Sequence, residues 1–257
     1  MNTDLQKANM WKRMSAWLFD VILLATVVVF FGYILSSVLG FTDHYEQLNL
    51  AYEKYESQFG IEFHVSQEAY DAMDPEQQQA YEAAYNQAYE MLIADGEAMY
   101  AYGMVVNLSM LIASISVLLG YLVMEFAVPL WLGNGQTLGK KIFAIGIMRT
   151  DSIKLTTVQL FIRTILGKYA LGTMVPIYVI LLLAMGTMGI IGIAIVAGLL
   201  VAQAICLIAG GEGRAIQDRL AGTIVVDIAS QRIFRDTEDL INYTKTVHAQ
   251  QARDWEY

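Results

Sequence analysis

Two carboxylates stand inside stretches of sequence that are otherwise apolar. Asp20 lies about two helical turns inside "WKRMSAWLFDVILLATVVVFFGYILSSVLG", residues 11–40. Glu125 lies at a similar depth in a second apolar run, within "GYLVMEFAVPLW". A charged side chain deep in a bilayer costs on the order of 2.5–3.5 kcal/mol, so such residues normally face the bundle interior or water. Because neighbouring carboxylates can share a proton or hold a cation, one expectation is a cation or proton site.

The alternative is a structural role in which charges pair and fix helix packing. Arg13 and Asp20 share one helical face but lie about 10 Å apart along the axis, too far for a direct bond. Asp20 and Glu125 are then expected to pair with arginines, such as Arg163, or with backbone N–H groups. Arg13 is expected to anchor the helix at the membrane interface. Asp218, outside the apolar runs in "QDRLAGT", is expected to cap a turn rather than complete an ion site.

The apolar runs that carry these residues indicate an integral membrane protein. Of the 257 residues, 56% are hydrophobic and 16% charged, against about 45–50% and 25% in soluble domains. Runs 14–39 and 104–132 each exceed the roughly 20 residues that cross a bilayer. Run 170–210 is about twice that length and contains "MGTMG" at 185–189, so we expect two helices joined by a tight turn. The sequence thus predicts four spans, with three as the alternative.

The charge distribution predicts the orientation. Positions 43–97 contain 13 acidic residues and one basic residue, whereas 140–168 contain six basic residues and one acidic residue. Lysine and arginine accumulate on the cytoplasmic side of membrane proteins, and Lys7, Lys12 and Arg13 precede the first span. We therefore expect both termini and the basic segment in the cytoplasm and the acidic segment outside the cell.

The segments between the spans predict a helical insert and a small β element. The insert carries tyrosine and apolar residues at helical spacing, and Asp74-Pro75 is a typical helix start. The β-branched stretches near 144–148 and 223–227 are expected to lie in one sheet, the first continuing into a hairpin turned at Asp151-Ser152. The stretch "TVQLFIRTILGKYAL" predicts an amphipathic helix that leads into the third span.

The predicted fold is an all-α membrane protein with four transmembrane helices, a helical extracellular insert and a small cytoplasmic β element. Its predicted segments are the first transmembrane helix, 11–40; the acidic helical extracellular insert, 41–103; the second transmembrane helix, 104–132; the cytoplasmic hairpin and amphipathic helix, 133–169; the third and fourth transmembrane helices, 170–210; and the cytoplasmic strand and polar tail, 211–257.

Three blocks of the sequence resemble the RDD family of bacterial integral membrane proteins, which is named for one arginine and two aspartates. "WKRMSAWLFDVILL" resembles its opening, with Arg13 and Asp20, and "AIQDRLAGTIVV" its closing block, with Asp218. The block between them is similar to "NGQTLGKKIFAIGIMRTDSIKLTTVQLFIRTIL" here, and its matching residues are Gly135, Gln136, Thr137, Gly139, Lys140 and Arg163. The resemblance covers roughly 11–40 and 104–228 and implies a multi-pass protein of the bacterial plasma membrane. The insert at 43–103 departs from the family pattern.

For function, the resemblance implies transport, or support of transport, of an ion or small solute. The alternative from a different class is a non-transporting scaffold that recruits a partner through its insert or tail. The sequence contains no phosphate loop, no G-x-S-x-G and no H-E-x-x-H, and its three histidines are widely spread. We therefore expect no enzyme activity, cofactor, metal site or nucleic-acid partner. The lipid bilayer is an expected partner, and a homo-oligomer is left open because four helices make a narrow bundle.

Overall fold

The computed structural model describes residues 6–184, 186, 189–208 and 213–254. Twelve α-helices, two π-helical segments and two strands are assigned within these residues. The α-helices are α1 Met10–Val38, α2 Phe41–Phe59, α3 Gln67–Asp71, α4 Pro75–Ala94, α5 Gly96–Tyr121, α6 Val128–Leu132, α7 Leu138–Ile142, α8 Thr157–Phe161, α9 Val175–Ala184, α10 Gly189–Ile208, α11 Ile216–Leu220 and α12 Thr237–Asp254; the π-helical segments are Leu122–Ala127 and Ile162–Met174; the strands are β1 Ile145–Arg149 and β2 Thr223–Asp227.

Four helices among the described residues are long and apolar enough to cross a membrane, as the sequence predicts. They are Met10–Val38, Gly96–Leu132, Thr157–Leu183 and Gly189–Ile208. The second and third begin before their apolar runs, at Gly96 and Thr157, and each continues without interruption through a π-helical segment. The tight turn predicted at 185–189 falls partly outside the described residues, although Gly186 has a positive φ of 70° and donates its N–H to Leu183 O. The chain is thus a multi-pass membrane protein.

The chain forms two compact units, and the first contains every predicted site residue. This unit consists of Met1–Val28 and Val117–Tyr257. Within it, β1 and β2 pair antiparallel, with Ile147 opposite Val225. The predicted single sheet is therefore confirmed, and buried Ile145, Ile147 and Val225 pack against Ala16 of α1. Burial of these aliphatic side chains holds the sheet against the start of the first span.

The sheet differs in two details from the sequence prediction. The chain does turn at Asp151-Ser152, but the return is a single bridge between Met148 and Lys154, so the main partner of β1 is β2 rather than a hairpin strand. The N-terminal segment pairs with the other edge of β2 through a bridge between Lys7 and Val226. Single bridges such as these are too short for an alternation of apolar and polar residues to be recognised in the sequence.

The second unit, Val29–Ser116, contains the helical insert. Asp74 caps α4 by accepting the N–H of Gln77 at 2.8 Å, and Pro75 occupies the first helical position. Asp95 separates α4 from α5 and accepts the N–H groups at the start of α5. Buried Tyr55 of α2 packs with Leu92 and Ala98. Tyrosines therefore serve here as packing between helices, with Tyr55 also donating its hydroxyl to Asp95 at 2.9 Å.

Candidate functional site: a buried charge cluster

Asp20 lies in α1, within the first unit, and its carboxylate connects this helix to residues at the start of α7. Its carboxylate is 6% exposed. It accepts the hydroxyl proton of Thr137 and, at 2.8 Å, the N–H of Gly139. The ammonium group of Lys140 lies 3.8 Å away. The carboxylate of Asp20, in a membrane helix, thus accepts two hydrogen bonds from the start of α7.

Lys140 is buried beside this carboxylate. It is 7% exposed, and its Nζ donates to the hydroxyl oxygen of Thr137 at 3.1 Å. Burial lowers the pKa of Lys140 to about 7, and the positive charge of Lys168 acts in the same direction. Glu125 and Asp20 oppose this shift by favouring the charged form. Lys140 can therefore change its protonation state near neutral pH.

Asp218, in α11, forms the second centre of charge. It is 1% exposed and accepts from Nε of Arg163 at 2.7 Å. Arg13 lies 3.9 Å from its other oxygen, and the N–H of Ala215 donates to that oxygen at 3.3 Å. Burial alone would raise the pKa of Asp218, but Arg163, Arg13 and the N–H of Ala215 together outweigh burial, so the pKa lies below its ordinary value. Asp218 both caps its short helix and neutralises arginines from two other elements.

Glu125 pairs with Lys168 rather than with an arginine. It lies in the π-helical segment Leu122–Ala127, is 7% exposed, and its Oε2 is 2.5 Å from Nζ of Lys168. The backbone carbonyl of Glu125 also accepts the hydroxyl proton of Thr164 at 2.9 Å. These two contacts connect the second span to the third. Each of the two carboxylates that stand in apolar runs therefore has its own lysine partner, Lys168 for Glu125 and Lys140 for Asp20.

The π-helical geometry of the third span places two of these cations together. Arg163 and Lys168 are five residues apart in Ile162–Met174. In a helix with i→i+5 hydrogen bonds, residues five apart lie nearly above one another, whereas in an α-helix they diverge. Wide helical turns of this kind are often found at functional sites. Here they let one helix supply partners to both Asp218 and Glu125.

The charge cluster, as the term is used below, consists of seven side chains: Arg13, Asp20, Glu125, Lys140, Arg163, Lys168 and Asp218. It borders two cavities of the first unit. The first, about 280 Å³, is lined by six of the seven residues, all except Glu125. The second, about 610 Å³, is lined by Glu125 and more apolar side chains. Trp17, Lys168, Gln203 and Gln217 line both cavities.

All five residues singled out from the sequence, Arg13, Asp20, Glu125, Arg163 and Asp218, belong to the charge cluster. Sequence reasoning missed Lys140 and Lys168 as site residues. A signal for Lys168 was present, since it follows Arg163 by five residues at the start of an apolar helix. Lys140 resembled an ordinary member of a basic cytoplasmic segment. Among the described residues, no group of three or more His, Cys, Asp or Glu side chains is placed to hold a metal ion.

Comparison with protein families identifies the family of the chain. Residues 7–222 match the model of the RDD family, which is most of the chain. The chain belongs to the RDD family. Arg13, Asp20 and Asp218, which by sequence resemblance match the arginine and two aspartates of the RDD name, all line the first cavity of the charge cluster. No curated protein and no solved structure matches this RDD protein in sequence or structure searches.

Proposed function

We infer that this RDD protein moves a small ion or solute across the membrane, or supports that movement, by means of the charge cluster. The observation that carries the proposal is the position of the seven ionisable side chains, which line two cavities sharing four wall residues. Ionisable residues inside membrane proteins are costly, and they commonly mark ion and substrate pathways.

The pairing within the charge cluster supports a path that is closed in the described state. Each of the three carboxylates has a cationic partner, Asp20 with Lys140, Glu125 with Lys168, and Asp218 with Arg163. A moving ion would exchange with one of these partners, so the ion pairs act as gates as well as links between helices. This proposal assigns no enzymatic step to the protein.

The proposed setting is the bacterial plasma membrane, with both termini and the charged sheet region in the cytoplasm and the acidic insert outside. Support comes from the excess of lysine and arginine in 140–168 and of acidic residues in 43–97. The bilayer is the obligatory partner. A second copy of the chain is a further proposed partner, because it would complete the walls of a path that four helices enclose poorly.

Flux through proteoliposomes tests the transport proposal. Wild-type protein should carry at least one member of a panel of protons, monovalent cations, small anions and neutral solutes. Asp20→Asn and Glu125→Gln should each lower that flux by about tenfold or more, because each removes a charge that the path uses. Asp151→Asn is the matched control, since Asp151 forms an exposed ion pair with Arg149 and lines neither cavity.

Normal flux in both Asp20→Asn and Glu125→Gln would contradict the proposal and leave the carboxylates as packing devices. Removing one member of a buried ion pair typically costs about 3–5 kcal/mol, so thermal unfolding should be measured on the same samples. A variant that keeps its unfolding temperature but loses flux supports a role in the path. Absence of flux in wild-type protein across the panel would favour the alternative, a scaffold that acts through its insert or tail.

A further inference from the structure

The first cavity contains more positive than negative charge. Among the described residues that line it, four are basic and two are acidic. The neighbouring Glu125 is paired with one of the four, Lys168. The charge cluster as a whole therefore has four cations and three carboxylates, which leaves one positive charge without a matching carboxylate. A buried charge without compensation is costly unless it is neutralised or a counter-ion binds.

Within the part of the chain that the structure describes, Lys140 and Arg13 are the two cations of the charge cluster that make no hydrogen bond to a carboxylate. The Nζ of Lys140 lies 3.8 Å from Asp20, beyond hydrogen-bonding distance, and donates to the neutral hydroxyl of Thr137. The Nη2 of Arg13 lies 3.9 Å from Asp218, and its Nη1 donates to the carbonyl oxygen of Gly213 at 2.7 Å. An ammonium group has three donors. Lys140 therefore has both charge and hydrogen-bond donors to offer an anion in the cavity that it lines.

Arg163 and Gln203 supply further donors at the same cavity. Among the described residues, the hydrogen bond of Arg163 uses one of its five N–H donors, the Nε–H that points to Asp218. Gln203 accepts the N–H of Ile216 through its Oε1 at 3.2 Å, which leaves its amide NH₂ as a donor. Both residues line the first cavity with Lys140. Its donors therefore come from three separate elements, α7, Ile162–Met174 and α10.

We propose that the first cavity binds an oxyanion of the phosphate or sulfate type, free or as a lipid headgroup, against Lys140, Arg163 and Arg13. The proposal names the ligand class of the site described under Proposed function and rests on that function for its role in transport. A volume of about 280 Å³ suits a small anion rather than a drug-sized ligand. Guanidinium and ammonium groups together are the usual partners of such oxyanions.

Lys140 couples this anion to a proton. The charged groups that face it are Asp20 of α1, Glu125 of the second span, and Arg163 and Lys168 of the third. With its pKa near 7, Lys140 is largely neutral at pH 8, and an anion binds more tightly to the charged form. Binding should therefore take up protons at pH 8, and fewer at pH 6, where a larger fraction of Lys140 is already charged. Affinity should fall as pH rises through 7.

The test uses full-length protein in nanodiscs of neutral phosphatidylcholine, titrated with sulfate by calorimetry. Sulfate is chosen because it does not titrate itself between pH 6 and 8. Measuring the heat in two buffers of different ionisation enthalpy gives the number of protons taken up. The expected result is saturable binding with proton uptake at pH 8. Sodium chloride of equal ionic strength controls for screening.

A second arm separates the two sources of the anion. If sulfate does not bind in neutral nanodiscs, the thermal stability is compared in nanodiscs with and without phosphatidylglycerol. Stabilisation by the anionic lipid that is lost in Lys140→Met assigns the site to a headgroup. Binding of neither sulfate nor anionic lipid overturns the proposal. So does binding that is equal in wild type and Lys140→Met.

Three variants define the role of Lys140. Lys140→Met should weaken anion binding by about tenfold or more, the usual effect of losing a charge-assisted hydrogen bond. Lys140→Arg should retain binding but lose the proton uptake, because arginine stays charged at these pH values. Lys141→Met, a change at the next and exposed residue of α7, should leave both unchanged. If Lys140→Met fails to fold, wild type and Lys140→Arg still decide between coupled and uncoupled binding.

The outcomes distinguish this proposal from the proposed function. Anion binding without flux of any solute retains the site and contradicts transport. Flux of a cation that is insensitive to sulfate and to Lys140→Arg retains transport and contradicts the anion site. Anion flux whose pH dependence disappears in Lys140→Arg supports both.

Discussion

At Gly139 the chain of α7 comes within contact distance of the backbone of α1. A Cβ atom built at this glycine would lie 2.4 Å from the carbonyl oxygen of Ala16 and 2.9 Å from Oδ1 of Asp20. The absence of a side chain is what lets the Gly139 N–H reach the carboxylate at 2.8 Å. The position of Asp20 is therefore fixed by a backbone approach that only glycine permits.

The substitution Gly139→Ala should destabilise the protein because the clash is with backbone, which cannot rotate away. We expect a loss of about 1–3 kcal/mol, the usual range for overpacking, measured as a lower unfolding temperature in detergent. Gly198→Ala is the matched control, since Gly198 lies in α10 with nothing within 4 Å of the added Cβ. Equal unfolding temperatures for the two variants would show that α1 and α7 are not held this closely.

The identity of the site residues was predictable from sequence to a greater extent than their partners. Asp20 and Glu125 are conspicuous because an apolar run makes any carboxylate stand out. Their partners, Lys140 and Lys168, are 120 and 43 residues away along the chain. Nothing in a single sequence specifies such long-range pairs. The close approach of the Gly139 backbone to α1 also depends on tertiary packing alone.

At the scale of elements, the spans and the sheet were predictable, whereas the π-helical segments were not. Apolar length identifies a span whatever its hydrogen-bond pattern, and β-branched content identifies the two strands. The step from i→i+4 to i→i+5 hydrogen bonds in Ile162–Met174 leaves no periodic signal that an apolar sequence would reveal. Partners on two sides, Asp218 and Glu125, accompany this geometry, and their pairing with Arg163 and Lys168 was not predictable from the sequence.

The junction between α4 and α5 in the insert should be sensitive to acid. The hydrogen bond from Tyr55, with those from Ala98 N–H and Lys54, lowers the pKa of Asp95 to about 2. Because the folded pKa lies below the ordinary value of 3.8, the stabilisation is present above pH 4 and is lost as pH falls through 2. Hydrogen exchange at residues 92–98 should therefore accelerate over this window, beyond the change of the intrinsic exchange rate.

Tyr55→Phe removes the first of these hydrogen bonds and should shift the Asp95 pKa back toward 3.8, so that the acid-dependent loss of protection becomes smaller. Tyr45→Phe is the matched control, because Tyr45 lies on the same helix α2 but is 48% exposed. An identical acid profile for wild type and Tyr55→Phe would show that this hydrogen bond does not hold the junction.

At the scale of the whole molecule, the four spans predict an arrangement in which both termini lie on one side of the membrane. An even number of spans returns the chain to its starting side. The charge bias then predicts that this side is the cytoplasm, because 140–168 is rich in lysine and arginine and 43–97 is rich in acids. The orientation was thus predictable from the number of charged residues in each segment, and this number does not depend on how the helices fold.

Cysteine labelling in intact cells checks this orientation. In a Cys206→Ser background, single cysteines between 45 and 95 should react with an impermeant maleimide. Cysteines between 140 and 165 or between 230 and 257 should react only after the cells are permeabilised. The labelled fractions should differ by about tenfold or more between the two groups, since a bilayer excludes the charged reagent. External labelling within 140–165 would reverse the orientation.

The pairing of β1 with β2 bears on how the protein is synthesised. β1 is made before the third and fourth spans, and β2 and Asp218 are made after them. Synthesis proceeds from the N-terminus. Until the third and fourth spans have been made, β1 therefore has no paired strand, and Arg13 and Arg163 lack the carboxylate that they share. The segment after the fourth span therefore supplies both missing partners, β2 and Asp218. A nascent chain that stops before this point would have an open strand edge, which can pair with another chain, and two arginines without their carboxylate partner.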